Sequence, residues 1–341
     1  MIAGAESVQM GHQNNEHFMK LVSVFMDVED PINPLSDDAA LDFPILFDEV
    51  GVKGSFCLTG EKCRTLQIRD RADVANAYRP HSLGLHTNGH SFHPTTMELL
   101  GDLDWEEGCK AAIQEESKGF EEFQKLFGRN PSFWGGAGNT WSPEITEALK
   151  FLGIPAYVYA LTQFPDHAVH QFNGVLALPQ ALSISENDWA DDKRAQAASD
   201  RVLEALQTIP QLWVGIFVGH PTKFRHHDYW DKPYYGGRTP SSPEFVEPVS
   251  KETYVRAKVN LRTFLTQLKS QAKVIGVDEV VELPWQFNVP TSDQMSYFES
   301  KTSASLRSAV GWPPHRPGLS AEKIVEKTMA LKGTLKTASL Y

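Results

Sequence analysis

Cysteine is scarce in this sequence, positive charge is outweighed, and long apolar runs are missing. Three of its 341 residues are cysteines, Cys57, Cys63 and Cys109. None has the C-x-x-C spacing of a zinc or redox motif. An odd, low count builds no disulfide framework and fits a reducing compartment or thiols used as packing. Lys and Arg total 32 against 43 Asp and Glu, a net charge of −11. That balance argues against nucleic acid or an anionic membrane as the main partner. No stretch approaches the roughly 18 apolar residues that span a bilayer. The opening MIAGAESVQMGHQNNEHFMK has no basic start followed by an apolar run, so no secretory leader is expected and a cytoplasmic location is. No internal repeat or low-complexity segment appears.

What is present suits a large core: 41% of residues are hydrophobic and 22% charged. Apolar, β-branched runs alternate with helical patterns along most of the chain. LVSVFMDV, GVKGSFCLTG, SLGLH, PSFWGG, AYVYAL, GVLALPQ, LWVGIFVGH and KVIGVDEVVEL read as strands. Helices are expected over 37–50, with Pro44 at a break or in the first turn, and over 60–78, 104–127, 191–208 and 251–272. SPEITEALKFLG is a further helix, with Ser142 as N-cap, Pro143 in the first turn and Gly153 at its end. The alternation implies parallel βαβ units, about seven or eight of them, and therefore a closed α/β barrel. Two regions break the rhythm. Residues 221–250, rich in Pro, Gly and aromatics, are expected to form a long loop. Residues 290–341 read as a separate tail with two short helices, in which Lys323, Lys327, Lys332 and Lys336 have the spacing of a solvated face.

In parallel α/β folds, sites form at the C-terminal ends of strands. Three polar clusters fall there: DVED after the first strand, HTNGH after the third and GHP after the seventh. The first concentrates Asp27, Glu29 and Asp30 where a buried strand surfaces. Like charges so close need solvent or a cation among them. His86 and His90, spaced i, i+4, would lie on one side of a helical turn, either as metal ligands or as two loop histidines. Two histidines and a carboxylate form a known catalytic set for zinc and similar ions. One acid would then bind the ion and its neighbour accept a proton from the ion's water, whose pKa falls to about 7. His220 could be the matching general acid or a core histidine. His93, which precedes a proline, points to a supporting or surface role.

FMDVED, HTNGH, PSFWGGAGNTWSPEITEALKFLGI and VGIFVGH stand in the order and approximate spacing of the NodB-homology polysaccharide deacetylases. The chain resembles that family over roughly residues 20–285. The resemblance implies a distorted, incomplete (β/α) barrel of about seven parallel strands, residues 1–289, followed by a helical extension, residues 290–341. It implies a divalent metal, most commonly zinc, and removal of N-acetyl groups from sugars. Asp27 corresponds to the catalytic base, His220 to the acid, and Glu29, His86 and His90 to the metal ligands, with Asp30 the runner-up to Glu29. One departure concerns the third motif, where an Arg usually holds the base: FWGGAGN puts Trp134 at that position and Gly136 where a Pro would be. The Asp that orients the acid histidine also has no clear copy; Asp228 and Asp231 are the nearest candidates. Trp134, Trp141, Trp230 and Asn139 are candidate substrate contacts, the tryptophans as stacking platforms or core. RHHDYWD, residues 225–231, reads as a substrate-facing lid or an ordered surface loop. The expected function is metal-dependent hydrolysis of an N-acetyl group. A small cyclic or linear amide as substrate, and an inactive carbohydrate-binding homologue, remain alternatives. The tail could pack on the barrel or join two subunits.

Overall fold

The computed structural model describes residues 19–160, 168–309, 319–330 and 334–340. The leader reading, Leu161 of the expected fifth strand and Lys332 lie outside the described residues. In chain order the first elements are β1 (Leu21–Val28), α1 (Leu35–Val50), β2 (Ser55–Leu58), α2 (Gly60–Ile68), α3 (Ala72–Tyr78), β3 (Ser82–Leu85), α4 (Thr96–Gly101) and α5 (Trp105–Phe127). Then come β4 (Phe133–Gly135), α6 (Glu144–Leu152), β5 (Ala156–Ala160), β6 (His170–Phe172), β7 (Val175–Ser183), α7 (Glu186–Trp189), α8 (Asp192–Thr208) and β8 (Trp213–Gly219). The last are α9 (Pro221–Arg225), α10 (Lys251–Gln271), β9 (Lys273–Val274), α11 (Val277–Val280), β10 (Gln286–Asn288), α12 (Ser292–Ala309), α13 (Ala321–Met329) and β11 (Lys336–Ser339).

Seven parallel strands, β1, β2, β3, β4, β5, β7 and β8, close into a barrel through pairing of β7 with β8. The expected last strand does not join the ring. β9 is two residues long and pairs only with Leu21 and Val22, whereas β2 takes up β1 from Phe25 onward. The chain then turns directly into α11.

Alternation along β1 sets the layers. Val22, Val24, Met26 and Val28 pack outward against the helices. Phe25 packs inward with Phe133, Val158, Leu178 and Trp213, which fill the barrel. Side chains two apart share a face of a strand, so Asp27 stands above Phe25 at the C-terminal mouth. Gly84 on β3 makes room for this plug: a Cβ there would lie 2.5 Å from the Phe133 ring.

Several local expectations shift. Pro44 sits within an unbroken α1, where it is buried, and its carbonyl accepts a hydrogen bond from His81 Nε2 at 3.1 Å. The helix expected over 60–78 breaks into α2 and α3 around Asp70, whose φ is 51°. Arg69, at that break, reaches back to Asp37 at 2.9 Å and to the Pro31 carbonyl at 3.0 Å. The short antiparallel strand β6, unmarked in the sequence pattern, pairs with β7 and carries β11 and β10 as an outward extension.

Through β11 the C-terminal segment is tied to the barrel sheet, and through α13 to α4, α5 and α6. The backbone N–H of Trp105 donates to Glu326 at 2.9 Å. Lys327 contradicts the solvated-face reading: it is 1% exposed. Its ammonium pairs with the buried Glu144 carboxylate and donates to the Leu100 carbonyl at 3.2 Å. Lys336 lies in a strand and not on a helix. Removing one partner of a buried ion pair leaves the other uncompensated. Lys327→Ala should therefore weaken docking of α13 by about 3 kcal/mol, seen as faster amide exchange over 321–329. Adding Glu144→Leu should restore much of the protection.

Candidate active site

At the C-terminal mouth of the barrel, the end of β1 projects Asp27 and then Glu29, while the loop after β3 brings in His86 and His90. That loop is not a helical turn: Thr87 and His90 have φ of 57° and 52°. The two rings still converge, with centroids 4.9 Å apart. Glu29 Oε2 lies 2.8 Å from His90 Nε2 and 3.5 Å from His86 Nε2. Glu29, His86 and His90 are all buried and their donor atoms lie within 4.8 Å of one another.

The other ring nitrogens define how these donors point. His86 Nδ1 is 3.0 Å from the Gly135 carbonyl oxygen, which can only accept. Nδ1 therefore carries a proton, and Nε2 is the nitrogen turned toward Glu29, where it offers a lone pair to an ion or a proton to the carboxylate. His90 Nδ1 contacts Ser91 Oγ at 2.7 Å, and that hydroxyl donates to Asp231 Oδ2 at 2.5 Å. With its donor capacity spent on Asp231, Ser91 accepts from His90, so His90 also directs Nε2 at Glu29. Trp230 donates from Nε1 to Glu29 Oε1 at 3.1 Å, leaving Oε2 for the histidines. Two imidazole nitrogens and a carboxylate oxygen converging in a buried site need a positive charge among them, as a proton or an ion. These donors fit a divalent ion, with histidine tautomers fixed from behind as metal sites commonly fix them.

Asp27 and His220 flank the three donors. Asp27 Oδ2 is 3.8 Å from His86 Nε2 and 3.9 Å from His220 Nε2, and His220 Nε2 is 3.8 Å from Glu29 Oε2. His220 leaves β8 after Gly219, whose φ is 119°. A Cβ at Gly219 would lie 2.4 Å from Glu186 Cγ, so only glycine lets this carboxylate reach the histidine. Glu186 binds His220 Nδ1 directly. Burial opposes the charged form of His220, but Glu29, Glu186 and Asp27 outweigh it and hold the imidazolium up to about 9. Burial likewise opposes ionisation of Glu29, but His90, His220 and His86 hold it well below the usual carboxylate range.

The orienting acid is thus Glu186. Asp228 pairs with Lys232, and Asp231 serves His90. Glu186 opens α7, just past the C-terminal end of β7, a position whose polarity could have marked it in the sequence. Asp30 is not among the converging donors. Its carboxylate accepts from the Ile32 and Asn33 amides, Asn33 Nδ2 and Thr222 Oγ1 at 2.6–3.0 Å, tying the β1 exit to α9. His93 bridges Glu98 and the Tyr234 carbonyl, both at 2.8 Å.

Among the candidate substrate contacts, only Asn139 lines the cavity, which measures about 280 Å³. Trp134, Trp141 and Trp230 are 0%, 2% and 1% exposed, which leaves no ring face open for stacking. Trp134 points out of the barrel and donates to the buried Glu116 at 2.9 Å. The neighbour that faces His86 and Cys57 is Gly135, so β4 sends no side chain toward Asp27. RHHDYWD is not one uniform lid: Trp230 and Asp231 buttress the donors, and Tyr229, with Tyr235 beyond it, lines the cavity. Phe217 and Gln180 also line it. Tyr229 lies within the segment marked as a substrate-facing lid, whereas Tyr235, Phe217 and Gln180 were not singled out by sequence pattern.

No protein-family model and no curated protein matches the sequence. Solved structures do match in fold. A putative polysaccharide deacetylase from Mycobacterium smegmatis aligns over 83% of this chain and 94% of its own, with TM-score 0.51 and 14% identity. A CE4 family pseudoenzyme from Bacillus anthracis covers 77% of this chain and 66% of its own at 14% identity, TM-score 0.43. A family 4 acetyl xylan esterase from Clostridium thermocellum, in complex with a cobalt ion, covers 77% and 91% at 16% identity, TM-score 0.41. The first of these shares the fold, and the barrel anticipated from the motifs is the barrel found.

Trp230→Phe keeps an aromatic ring but removes the hydrogen bond to Glu29. It should weaken cobalt or zinc affinity by about tenfold, the scale for groups that orient metal ligands. Competition titration against a chromophoric chelator measures this; unchanged affinity would remove Trp230 from the ion's support.

Proposed function

We propose that this protein is a metal-dependent amide hydrolase that removes an N-acetyl group from an amino sugar. The observation that carries the reading is the convergence of Glu29, His86 and His90, with Asp27 and a Glu186-bound His220 on their open side. Glu29, His86 and His90 would hold the ion, with zinc the best match to two imidazoles and a carboxylate. When bound, a divalent ion supplies Lewis-acid polarisation of the amide carbonyl and acidifies water.

The remaining work falls to side chains of this chain. Asp27, 15% exposed at the cavity edge, takes a proton from the attacking water. His220 carries its proton on Nε2, facing the cavity, because Glu186 occupies Nδ1. It delivers that proton to the amine as the C–N bond breaks. Asp27 and His220 are thus a base and an acid on two sides of one reacting centre. A second reading, a small cyclic or linear amide as substrate, draws on the cavity. At about 280 Å³ it is at the small end for ligand sites. Tyr229 and Tyr235 border it.

Elemental analysis of the purified protein should find a divalent metal. Incubation with N-acetylglucosamine, its oligomers and a panel of small amides should release acetate from the sugars. Ammonia or ring-opened product in place of acetate would favour the second reading. Protein without metal that cleaves none of these would overturn both.

Asp27→Asn should lower kcat by about 10²–10⁴ while metal content stays near the parent's. Undiminished turnover would reassign the base. The pH profile follows from His220. A general acid works while protonated, so activity should fall as pH rises through its pKa. An ion on Glu29 offsets that carboxylate's pull, so the falling limb should lie below about 9. Glu186→Gln removes a second anion and should move this limb further down, without changing the acidic limb.

A further inference from the structure

The wall of the cavity contains a carboxylate that does only half of what its geometry allows. Asp231 lines the cavity and is 2% exposed. Its Oδ2 receives the Ser91 hydroxyl. Its Oδ1 is buried and has no hydrogen-bond partner among the described residues. Buried carboxylate oxygens are costly without a donor, and folded proteins keep few of them. Support of His90 needs only one oxygen, and a serine–asparagine pair could supply it without a charge. The second oxygen is therefore unexplained by the architecture around it.

The surrounding charge narrows what could satisfy it. Among the described residues lining the cavity there is no Lys or Arg, while Asp27, Glu29 and Asp231 are all acids. One divalent ion would balance Glu29 and part of the remainder. A carboxylate or phosphate on the substrate beside Asp231 would meet an uncompensated negative charge. A hydroxyl or N–H would meet an acceptor already desolvated, which strengthens the bond it makes. Tyr229 and Tyr235, which line the same cavity, add aromatic rings and phenolic hydroxyls suited to a neutral polar ring.

We infer that Asp231 reads the substrate: its free oxygen accepts a hydroxyl or N–H donor of an uncharged amide, and its charge turns away substrates anionic at that side. This rests on the proposed hydrolase reading but concerns selectivity and not the reaction. Asp231 then joins two tasks, positioning His90 through Ser91 with one oxygen and recognising the substrate with the other.

Two variants separate the tasks. Asp231→Asn can still accept from Ser91 but offers the cavity an amide donor without charge. Ser91→Ala breaks the tie to His90 and leaves the Asp231 carboxylate. The probes are triacetylchitotriose, which is neutral, and N-acetylmuramic acid, which carries a carboxylate. Cobalt-loaded parent protein should prefer the neutral probe. In Asp231→Asn its KM should rise about tenfold, the loss of one charge-assisted hydrogen bond. The neutral-to-anionic preference should shrink by at least as much, with metal content near the parent's. Ser91→Ala should weaken cobalt binding and keep the preference. If Asp231→Asn loses metal as Ser91→Ala does while the preference stays unchanged, Asp231 only positions His90 and the inference fails. It also fails if the parent binds neither probe. If the probes bind without being cleaved, the hydrolase reading fails. The inference is then judged on the same preference, taken from calorimetric Kd values.

Discussion

The approach of the Glu29 carboxylate to two imidazole nitrogens inside the barrel mouth is the contact around which the rest is arranged. A carboxylate with almost no solvent is stable only with positive charge or donors around it. Trp230 supplies one donor, and the histidines supply the remainder with a proton or an ion. Each of these partners is held from behind. The Gly135 carbonyl fixes His86, the Ser91–Asp231 pair fixes His90, and Glu186 fixes His220. A buried polar cluster of this kind must be satisfied throughout or it destabilises the fold. That requirement accounts for the long segment after β8, which returns Trp230 and Asp231 to the site it started from.

The acids at the end of β1 divide accordingly. Asp27, on the inward face of the strand, remains reachable by water. Glu29 is enclosed by the histidines. Asp30 accepts four hydrogen bonds and anchors the loop to Thr222 and Asn33. Three carboxylates in four positions are compatible because only one is enclosed by the converging donors, and the others have solvent or neutral donors. The same logic explains why an altered fourth strand is tolerated. With Gly135 facing inward and Trp134 bound to Glu116 outside, Asp27 has no cation beside it from β4; the nearby imidazolium of His220 takes that place.

The C-terminal segment follows a different principle. β11 extends the sheet through β6, and α13 brings Lys327 to the buried Glu144. Lysine spacing suggested a wetted helix face, but a lysine's long stem buries readily when its ammonium finds a carboxylate. Spacing reports only which residues share a face. It does not report whether that face meets water or another helix.

Much of the architecture was legible because it rests on local pattern. The alternating apolar runs, the capped helices and the polar clusters at strand ends are properties of short segments, and they located Asp27, Glu29, His86, His90 and His220. The barrel count was readable to within one strand. The sequence could not tell that β9 meets only the foot of β1, since that depends on how far β2 already occupies its edge. Nor could it tell that Glu186, rather than Asp228 or Asp231, would meet His220. That pairing depends on β7 lying beside β8 and on the missing Cβ of Gly219. The three tryptophans illustrate the same limit: type left stacking surface or core open, and packing made all three core. Sequence by itself determined which chemical groups the chain carries and the strand ends from which most of them emerge. Tertiary structure decided which of them touch, because distance and burial between segments far apart in the chain set both charge and hydrogen-bonding state.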